Sequence, residues 1–423
     1  MLSINLIREK PDFVKTGVEN KRETVDIDQI INLDLEQRKI LTELNEKRAL
    51  RNKVSEEIGL AKKSGKDADK TIAKMQKLSA TIKKMESKLI TLNARIEPLL
   101  IEIPNLPHES VPIGTGSDHN EIVREWGEKI KPDFTIKNHL EIGEKLALFD
   151  FKRGAAIAGS GFPLYTGKGA KLERALINYM IDFHVQNHDY TEVFPPFVAR
   201  RDAMLTTAQI PKLKDDMYQV EKDELYLIPT AEVPLTNIHQ SEIIAENCLP
   251  INYVAYSACF RREAGSYGKD TRGFIRLHQF NKVELVKFVK PENSYQELEE
   301  LTVQAEAVLQ SLGIRYRVLS LCTGDLSFAS AKSYDLEVWA PGEQQWLEVS
   351  TCSNFESFQA RRGNIRYRKE SDKKVEFVHT LNGSGVATPR LLVALLETYQ
   401  QRDGSVSLPE PLQPYYGADR IDL

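Results

Sequence analysis

The sequence predicts an α+β protein: an N-terminal antiparallel two-helix coiled-coil arm, followed by a body built on an antiparallel β-sheet flanked by helices. Three observations carry this. A heptad-spaced apolar stripe runs through a lysine-rich segment, a proline-broken stretch follows it, and many short alternating strands then recur, often joined by tight turns. The chain's 423 residues allow two or three domains. With 41% hydrophobic and 28% charged residues, the composition is that of a folded globular protein and excludes disorder over most of the length. No run approaches the eighteen apolar residues of a membrane span, and Arg8, Glu9 and Lys10 interrupt the N-terminal apolar stretch where a signal peptide needs continuity.

The arm comes first. Ile82, Met85, Leu89, Leu92 and Ile96 recur in alternating steps of three and four, with Ile72 and Met75 beginning the same stripe. Upstream, Ile40, Leu44, Val54, Ile58 and Ala61 form a looser version interrupted by Arg51. The polar Lys62-Lys63-Ser64-Gly65-Lys66-Asp67 stretch between them marks a turn, so the two helices can fold back on each other. A helix from Lys66 to Glu97, stopped by Pro98, would run roughly 50 Å at about 1.5 Å per residue, more than a globular core needs, and is expected to project into solvent.

Charge distinguishes this arm from a plain spacer. Residues 34–97 hold sixteen Lys and Arg against ten Asp and Glu, a surplus of six that leaves the rest of the chain at −10 within an overall −4. Lys62, Lys63, Lys66, Lys70, Lys74, Lys77, Lys83, Lys84 and Lys88 can supply phosphate contacts along an RNA backbone, although a solvated helix face or a dimerisation element has a similar composition.

Ile103-Pro104-Asn105-Leu106-Pro107 and Val111-Pro112-Ile113-Gly114 break any helix, giving an N-terminal domain at 1–103, a linker at 104–120 and a body at 121–423. In the body a helix is predicted over 170–188 and the strand-like Tyr190 to Phe194 follows, ended by Pro195-Pro196. Strands are expected at 225–228, 253–260, 274–288, 315–321, 333–339 and 346–353, and helices at 294–312 and 390–402. Four scattered cysteines without a CxxC pair fit a reducing cytoplasm, and eight scattered histidines give no zinc site. Neither a strand-linked GxGxxG nor a GxxxxGK[ST] is present, so nucleotide binding must use other chemistry.

The densest polar constellation runs from Phe260-Arg261-Arg262-Glu263 through Gly265-Ser266-Tyr267-Gly268 and Arg272 to Glu284. Arg276, His278, Phe280, Lys282 and Glu284 are separated by twos and are expected on one face of a strand, and Arg261 and Glu263 repeat the alternation in the strand before it. Such a face suits a charged ligand; an exposed, salt-bridged hairpin is the alternative. Asn382-Gly383-Ser384-Gly385 leads to Arg390 at the start of a helix, which by itself could be a glycine-containing cap. Thr230-Ala231-Glu232 and Glu348-Val349-Ser350-Thr351 complete the set and could equally be strand ends or turns.

Taken together these blocks resemble the three signature motifs of class II aminoacyl-tRNA synthetases, at 190–196, 260–284 and 383–390, with Phe260-Arg261-Arg262-Glu263 matching the FRxE opening. The basic hairpin, Thr230-Ala231-Glu232, His278-Gln279-Phe280 and Asn382-Gly383-Ser384-Gly385 narrow the resemblance to the seryl-tRNA synthetase family, over nearly the whole chain. Asp189 stands where that pattern usually has glycine, Arg262 where serine is frequent and Pro389 where glycine is common; Asp tolerates a left-handed backbone and Pro a first helical turn.

The resemblance implies a class II catalytic domain that makes seryl-adenylate from L-serine and ATP, then passes the seryl group to tRNA(Ser), with tRNA(Sec) as a further expected substrate. It implies Arg261 and Arg390 as catalytic residues. Arg261, Arg262, Glu263, Arg276, Phe280, Glu348, Val349, Ser350, Thr351 and Arg390 would bind ATP, with Glu348 and Thr351 also holding Mg2+. Thr230, Ala231, Glu232, Arg261, Glu284, Asn382 and Ser384 would bind serine. A cytoplasmic homodimer without zinc or membrane attachment is also implied. Two rivals use the same motifs. A homologue loading a carrier protein would lack the arm and use zinc-ligand cysteines, and a non-catalytic RNA-binding paralogue would have lost Arg261, Glu263, Phe280 or Arg390, all present here.

Overall fold

A computed structural model of the chain describes residues 1–65, 67–264 and 273–423. Lys66 of the arm and the loop at 265–272, with Gly265, Ser266, Tyr267, Gly268 and Arg272, lie outside the described residues. The chain divides into two compact units, 1–19 with 23–104 and 20–22 with 105–423.

In the first unit, helices α1 (Ile27–Lys63) and α2 (Asp69–Ile101) pair along the expected seam. Leu33, Ile40, Leu92 and Ile96 form a buried cluster against which Met85, Leu89, Leu99 and Leu100 pack, and Leu44, Val54 and Ile82 are buried further along. Arg48–Glu86 and Lys88–Glu36 bridge the helices at 2.7 Å each; such exposed pairs contribute at most about 1 kcal/mol, so the apolar seam carries the pairing. Two boundaries differ from expectation. Asp67 accepts the Asp69 N–H at 2.9 Å, so α2 starts at Asp69; it also runs through Pro98 to Ile101. The ring removes one backbone bond in the last turn, where Leu99 and Leu100 remain packed on the seam.

The second unit is organised by one large sheet. Its strands are β1 (Glu121–Trp126), β2 (Thr191–Glu192), β3 (Ile251–Phe260), β4 (Gln279–Val289), β5 (Tyr316–Ser320), β6 (Lys332–Ala340), β7 (Gln345–Asn354) and β8 (His379–Ala387). They lie in the order β1-β5-β6-β7-β8-β4-β3-β2, antiparallel throughout except for the parallel β2·β3 pair. Helices α3 (Gly167–Asn187), α4 (Ser294–Ser311) and α5 (Thr388–Tyr399) pack on it. Leu172, Leu176 and Met180 of α3, Leu301 and Leu309 of α4 and Leu391 to Leu396 of α5 share a core with Val283 and Leu285 of β4. Val286 and Phe288 of β4 enter a second cluster with Ala231 and Leu235. That alternation turns Lys282 and Glu284 away from the main helical core.

Several sequence expectations are corrected here. The strand expected over 274–288 begins only at Gln279, so Arg276 and His278 precede it. Arg261 and Glu263 follow the end of β3, and Glu263 has φ +51°, which no strand residue adopts. Asn382 to Gly385, for which a glycine-containing helix cap is the alternative reading, lies inside β8, and α5 begins at Thr388 and ends at Tyr399. Asp189 has φ +57°, the left-handed conformation that Asp tolerates.

Candidate active site

Two bulges shape the sheet where the polar residues gather. In β8 the pairing with β4 jumps from Ser384↔Glu284 to Ala387↔Lys282. The carbonyls there are taken by side chains: Ser350 Oγ donates to the Ser384 oxygen at 2.7 Å, and His184 Nε2 to the Gly385 oxygen at 3.2 Å. With that tautomer, His184 Nδ1 accepts from His188 Nδ1 at 3.0 Å. Burial pushes the His184 imidazole down to about 3, with His188 adding to it, so it stays neutral. A Cβ at residue 385 would stand 2.6 Å from His184 Nε2, which is why glycine occupies this crossing. In β7 the register shifts between Leu336↔Ser350 and Glu337↔Glu348, leaving Val349 as the extra residue. Residues three apart in a regular strand face opposite sides; the bulge brings Thr351 Oγ1 to 3.4 Å from Glu348 Oε1.

On the floor of the site Glu284, 1% exposed, is the common acceptor. Thr230 Oγ1 donates to its Oε2 at 3.1 Å, Asn382 Nδ2 to its Oε1 at 3.0 Å, and Lys282 Nζ lies 2.6 Å from Oε2. Ser384 stands directly across the ladder. Thr230 also accepts the Glu232 N–H at 3.3 Å, which tucks the buried Glu232 side chain under the floor, where Gln359 Nε2 donates to it at 2.6 Å. Burial pushes the Glu232 carboxyl up to about 7, and the Glu284 charge adds to the shift; Gln359, Lys282 and Arg261 oppose it. Ala231 is fully buried and Val349 nearly so, so only their backbone can face a ligand, and the Ser350 hydroxyl is already committed.

The upper part of the site holds the arginines. The Arg261 guanidinium lies 5.1 Å from the Phe280 ring centroid, and its Nε donates to the Pro229 carbonyl at 3.4 Å. The Arg261 carbonyl in turn receives His278 Nδ1 at 3.0 Å, and His278 stacks on Phe162 at 5.4 Å. Arg276 pairs with Glu263 at 2.5 Å, both partly buried. Arg390 Nε donates to the Ile275 carbonyl at 3.0 Å and its Nη1 to the Glu348 carbonyl at 2.7 Å, which ties the start of α5 to β7. Arg262 is not gathered in with these: it is exposed, and its Nη1 donates to the Asp215 carbonyl at 3.1 Å.

The structure therefore brings together a floor with the buried carboxyl groups Glu232 and Glu284, an arginine lying over an aromatic ring, and an oxygen pair at Glu348 and Thr351. Lys282, Gln359 and Asp335 also belong to these clusters. Asp335 pairs across the ladder with Thr351, its Oδ1 is buried without a partner among the described residues, and burial, with Glu348 adding, raises its carboxyl well above the usual range. Only Lys282 carried a sequence signal, its place in the alternating row; Gln359 and Asp335 carried none.

Comparisons with known proteins place the whole chain in one family. Residues 1–107 match the seryl-tRNA synthetase N-terminal domain, and residues 214–399 match the tRNA synthetase class II core domain (G, H, P, S and T). The chain is 53% identical over 421 residues to a serine–tRNA ligase of Carboxydothermus hydrogenoformans, covering 100% of this chain and 99% of the relative. It is likewise 53% identical over 424 residues to one of Thermodesulfovibrio yellowstonii, covering 100% of both. Among solved structures it resembles seryl-tRNA synthetase from Pyrococcus horikoshii complexed with ATP, with a TM-score of 0.93, 38% identity and coverage of 100% of this chain and 99% of that one. Among the described residues no helix is long and apolar enough to cross a membrane.

Proposed function

The chain belongs to the seryl-tRNA synthetase family of class II aminoacyl-tRNA synthetases and is a serine–tRNA ligase, and from that premise we propose how its residues divide the work. The observation that carries the assignment is Glu284, which accepts from Thr230 and Asn382, pairs with Lys282 and lies across from Ser384. A serine hydroxyl directed at Glu284 and Ser384 is satisfied there; alanine and glycine leave buried polar groups unpaired. Thr230 and Glu232 receive the α-ammonium, whose charge stabilises ionised Glu232.

ATP lies above this floor. Phe280 and Arg390 hold the adenine between an aromatic face and a guanidinium plane, Glu263 accepts from the adenine amino group, and Arg276 leaves Glu263 for the γ-phosphate. Arg261 binds the serine carboxylate and the α-phosphate together. The carboxylate is ionised at neutral pH and needs no base: its oxygen bonds to the α-phosphorus as the bond to the pyrophosphate oxygen breaks, and Arg261 stabilises the charge that develops. In the second step a terminal ribose hydroxyl of tRNA(Ser) attacks the seryl carbonyl and AMP leaves.

Glu348, Thr351 and Asp335 form an all-oxygen set, and the partnerless Asp335 Oδ1 supports a fit to Mg2+. Magnesium held there would offset the charge of the triphosphate. Lys62, Lys63, Lys70, Lys74, Lys77, Lys83 and Lys84 are exposed along the arm and supply RNA backbone contacts. Such contacts do not read an anticodon, which is compatible with tRNA(Sec), expected from the family resemblance, as a second substrate. The family resemblance supports a homodimer, and four free cysteines support a cytoplasmic location.

Pyrophosphate exchange with each of the twenty amino acids tests the reading. Serine alone should support rapid exchange. Equal exchange with alanine would overturn the hydroxyl-directed floor, and exchange without charging of any tRNA would favour a carrier-protein role.

A further inference from the structure

We propose that Glu173 of α3 is a positioning residue that sets the spacing between Phe280 and Arg390, and that it acts as a neutral carboxylic acid. Glu173 is 4% exposed and sits three helical turns before His184, on the same face of α3. Its Oε1 accepts from Asn281 Nδ2 at 2.8 Å and lies 2.5 Å from Thr388 Oγ1. Asn281 is the residue after Phe280 in β4, and Thr388 is the first residue of α5, two before Arg390. One carboxyl group thus holds both elements that grip the nucleotide.

Glu173 Oε2 is buried without a hydrogen-bond partner among the described residues, which costs less for a neutral carboxyl than for a carboxylate. Thr388 Oγ1 also lies 3.1 Å from the Asn281 carbonyl oxygen, so a hydroxyl with one proton faces two acceptors. If Thr388 donates to that carbonyl, the 2.5 Å contact needs a proton from Glu173. The amide of Asn281 lies with its Oδ1 accepting from Tyr256 Oη at 3.0 Å and its nitrogen donating to Glu173. Tyr165 and Tyr256 are the titratable groups facing the carboxyl, and both are neutral phenols. Burial pushes Glu173 up to about 7, against the pull of the Thr388 and Asn281 hydrogen bonds, in the direction of the neutral form.

The inference rests on the proposed role of Phe280 and Arg390, so its test includes both. Steady-state pyrophosphate exchange on the full-length enzyme would give separate KM values for ATP and serine. Glu173→Gln, a neutral isostere, should keep KM for ATP within about twofold, and Glu173→Ala should raise it about tenfold while KM for serine moves less than about twofold. Should Glu173→Ala fail to fold, Thr388→Val removes the same contact and should raise KM for ATP several-fold. The proposal is overturned if Glu173→Gln is as damaging as Glu173→Ala, or if the foldable variants shift both KM values equally. If Phe280→Ala and Arg390→Ala leave KM for ATP unchanged, the nucleotide reading itself fails instead.

Discussion

Ser384 lies directly across the β4·β8 ladder from Glu284, so a hydroxyl-bearing residue of β8 stands opposite the most heavily hydrogen-bonded carboxylate of the floor. Ser384→Ala is the clean probe of this pair, since the strand is held through the Ser384 carbonyl by Ser350. KM for serine should rise about tenfold, from loss of one buried hydrogen bond worth about 1 to 1.5 kcal/mol, while exchange with alanine stays as slow as before. Melting temperature should shift by no more than a few degrees. Unchanged serine kinetics would remove Ser384 from the recognition of the hydroxyl.

Arg261 lies over Phe280 while its Nε reaches the Pro229 carbonyl, so its planar fork is aimed before substrate arrives. Lysine keeps the charge and loses the plane. Arg261→Lys should cut kcat for exchange by about a hundredfold or more, with circular dichroism and melting close to wild type. A loss below about threefold would show that charge alone suffices and that the bidentate geometry is dispensable.

Glu232 gives a pH dependence with a definite sign. Its carboxyl is raised to about 7 by burial and by Glu284, so the folded state bears the burial cost only where the group is ionised. Below its ordinary unfolded value both states hold the proton. Stability is therefore highest there, falls as pH rises through about 7 and then levels, and Glu173 acts in the same sense. Serine reverses this locally, because its ammonium favours ionised Glu232: serine affinity should rise toward pH 8, by up to about tenfold per unit below pH 7. Calorimetric titration of serine at pH 6, 7 and 8 measures it, and Glu232→Gln should flatten the profile. A flat wild-type profile would argue that Glu232 does not meet the ammonium.

The arm and most of the sheet were legible because their signals are periodic: Ile82 to Ile96 in steps of three and four, and strand runs alternating in twos. What periodicity cannot show is a residue made structural by a distant partner. Asn382-Gly383-Ser384-Gly385 can be read as a glycine-containing helix cap, yet it is a strand because β7 and β4 pair on either side and Gly383 must pass close to Cys352, whose Sγ would stand 2.9 Å from an added Cβ. The bulge at Val349 is equally silent in sequence, although it decides that Glu348 and Thr351 meet. Glu173 sits among the apolar residues of α3, and only the contacts to Asn281 and Thr388 explain it.

Magnesium dependence should be localised by Glu348. Its carboxylate is 49% exposed, so Glu348→Gln is not expected to disturb folding, but it removes one charged oxygen from the set with Thr351 and Asp335. The Mg2+ concentration for half-maximal exchange should rise about tenfold, with maximal activity partly recovered at high magnesium. Chelation should abolish exchange in the wild type. An unchanged magnesium requirement in the variant would move the metal site elsewhere.

The arm offers the sharpest separation of functions. Leu33, Ile40, Leu92 and Ile96 form the buried base of the α1·α2 pair, so excising residues 41–89 and bridging with a short turn keeps that cluster and loses only Met85 and Leu89 from its margin. The excised segment contains every arm lysine from Lys62 to Lys88. Serine-dependent pyrophosphate exchange should stay within about twofold of wild type, because no residue of the proposed serine or ATP site lies in the segment. Charging of tRNA(Ser) should fall by at least about a thousandfold, since the released arm held the cations that would neutralise several phosphates. Loss of exchange in a folded, dimeric deletion variant would mean that the arm supports the adenylation site as well, and the division of labour would have to be abandoned.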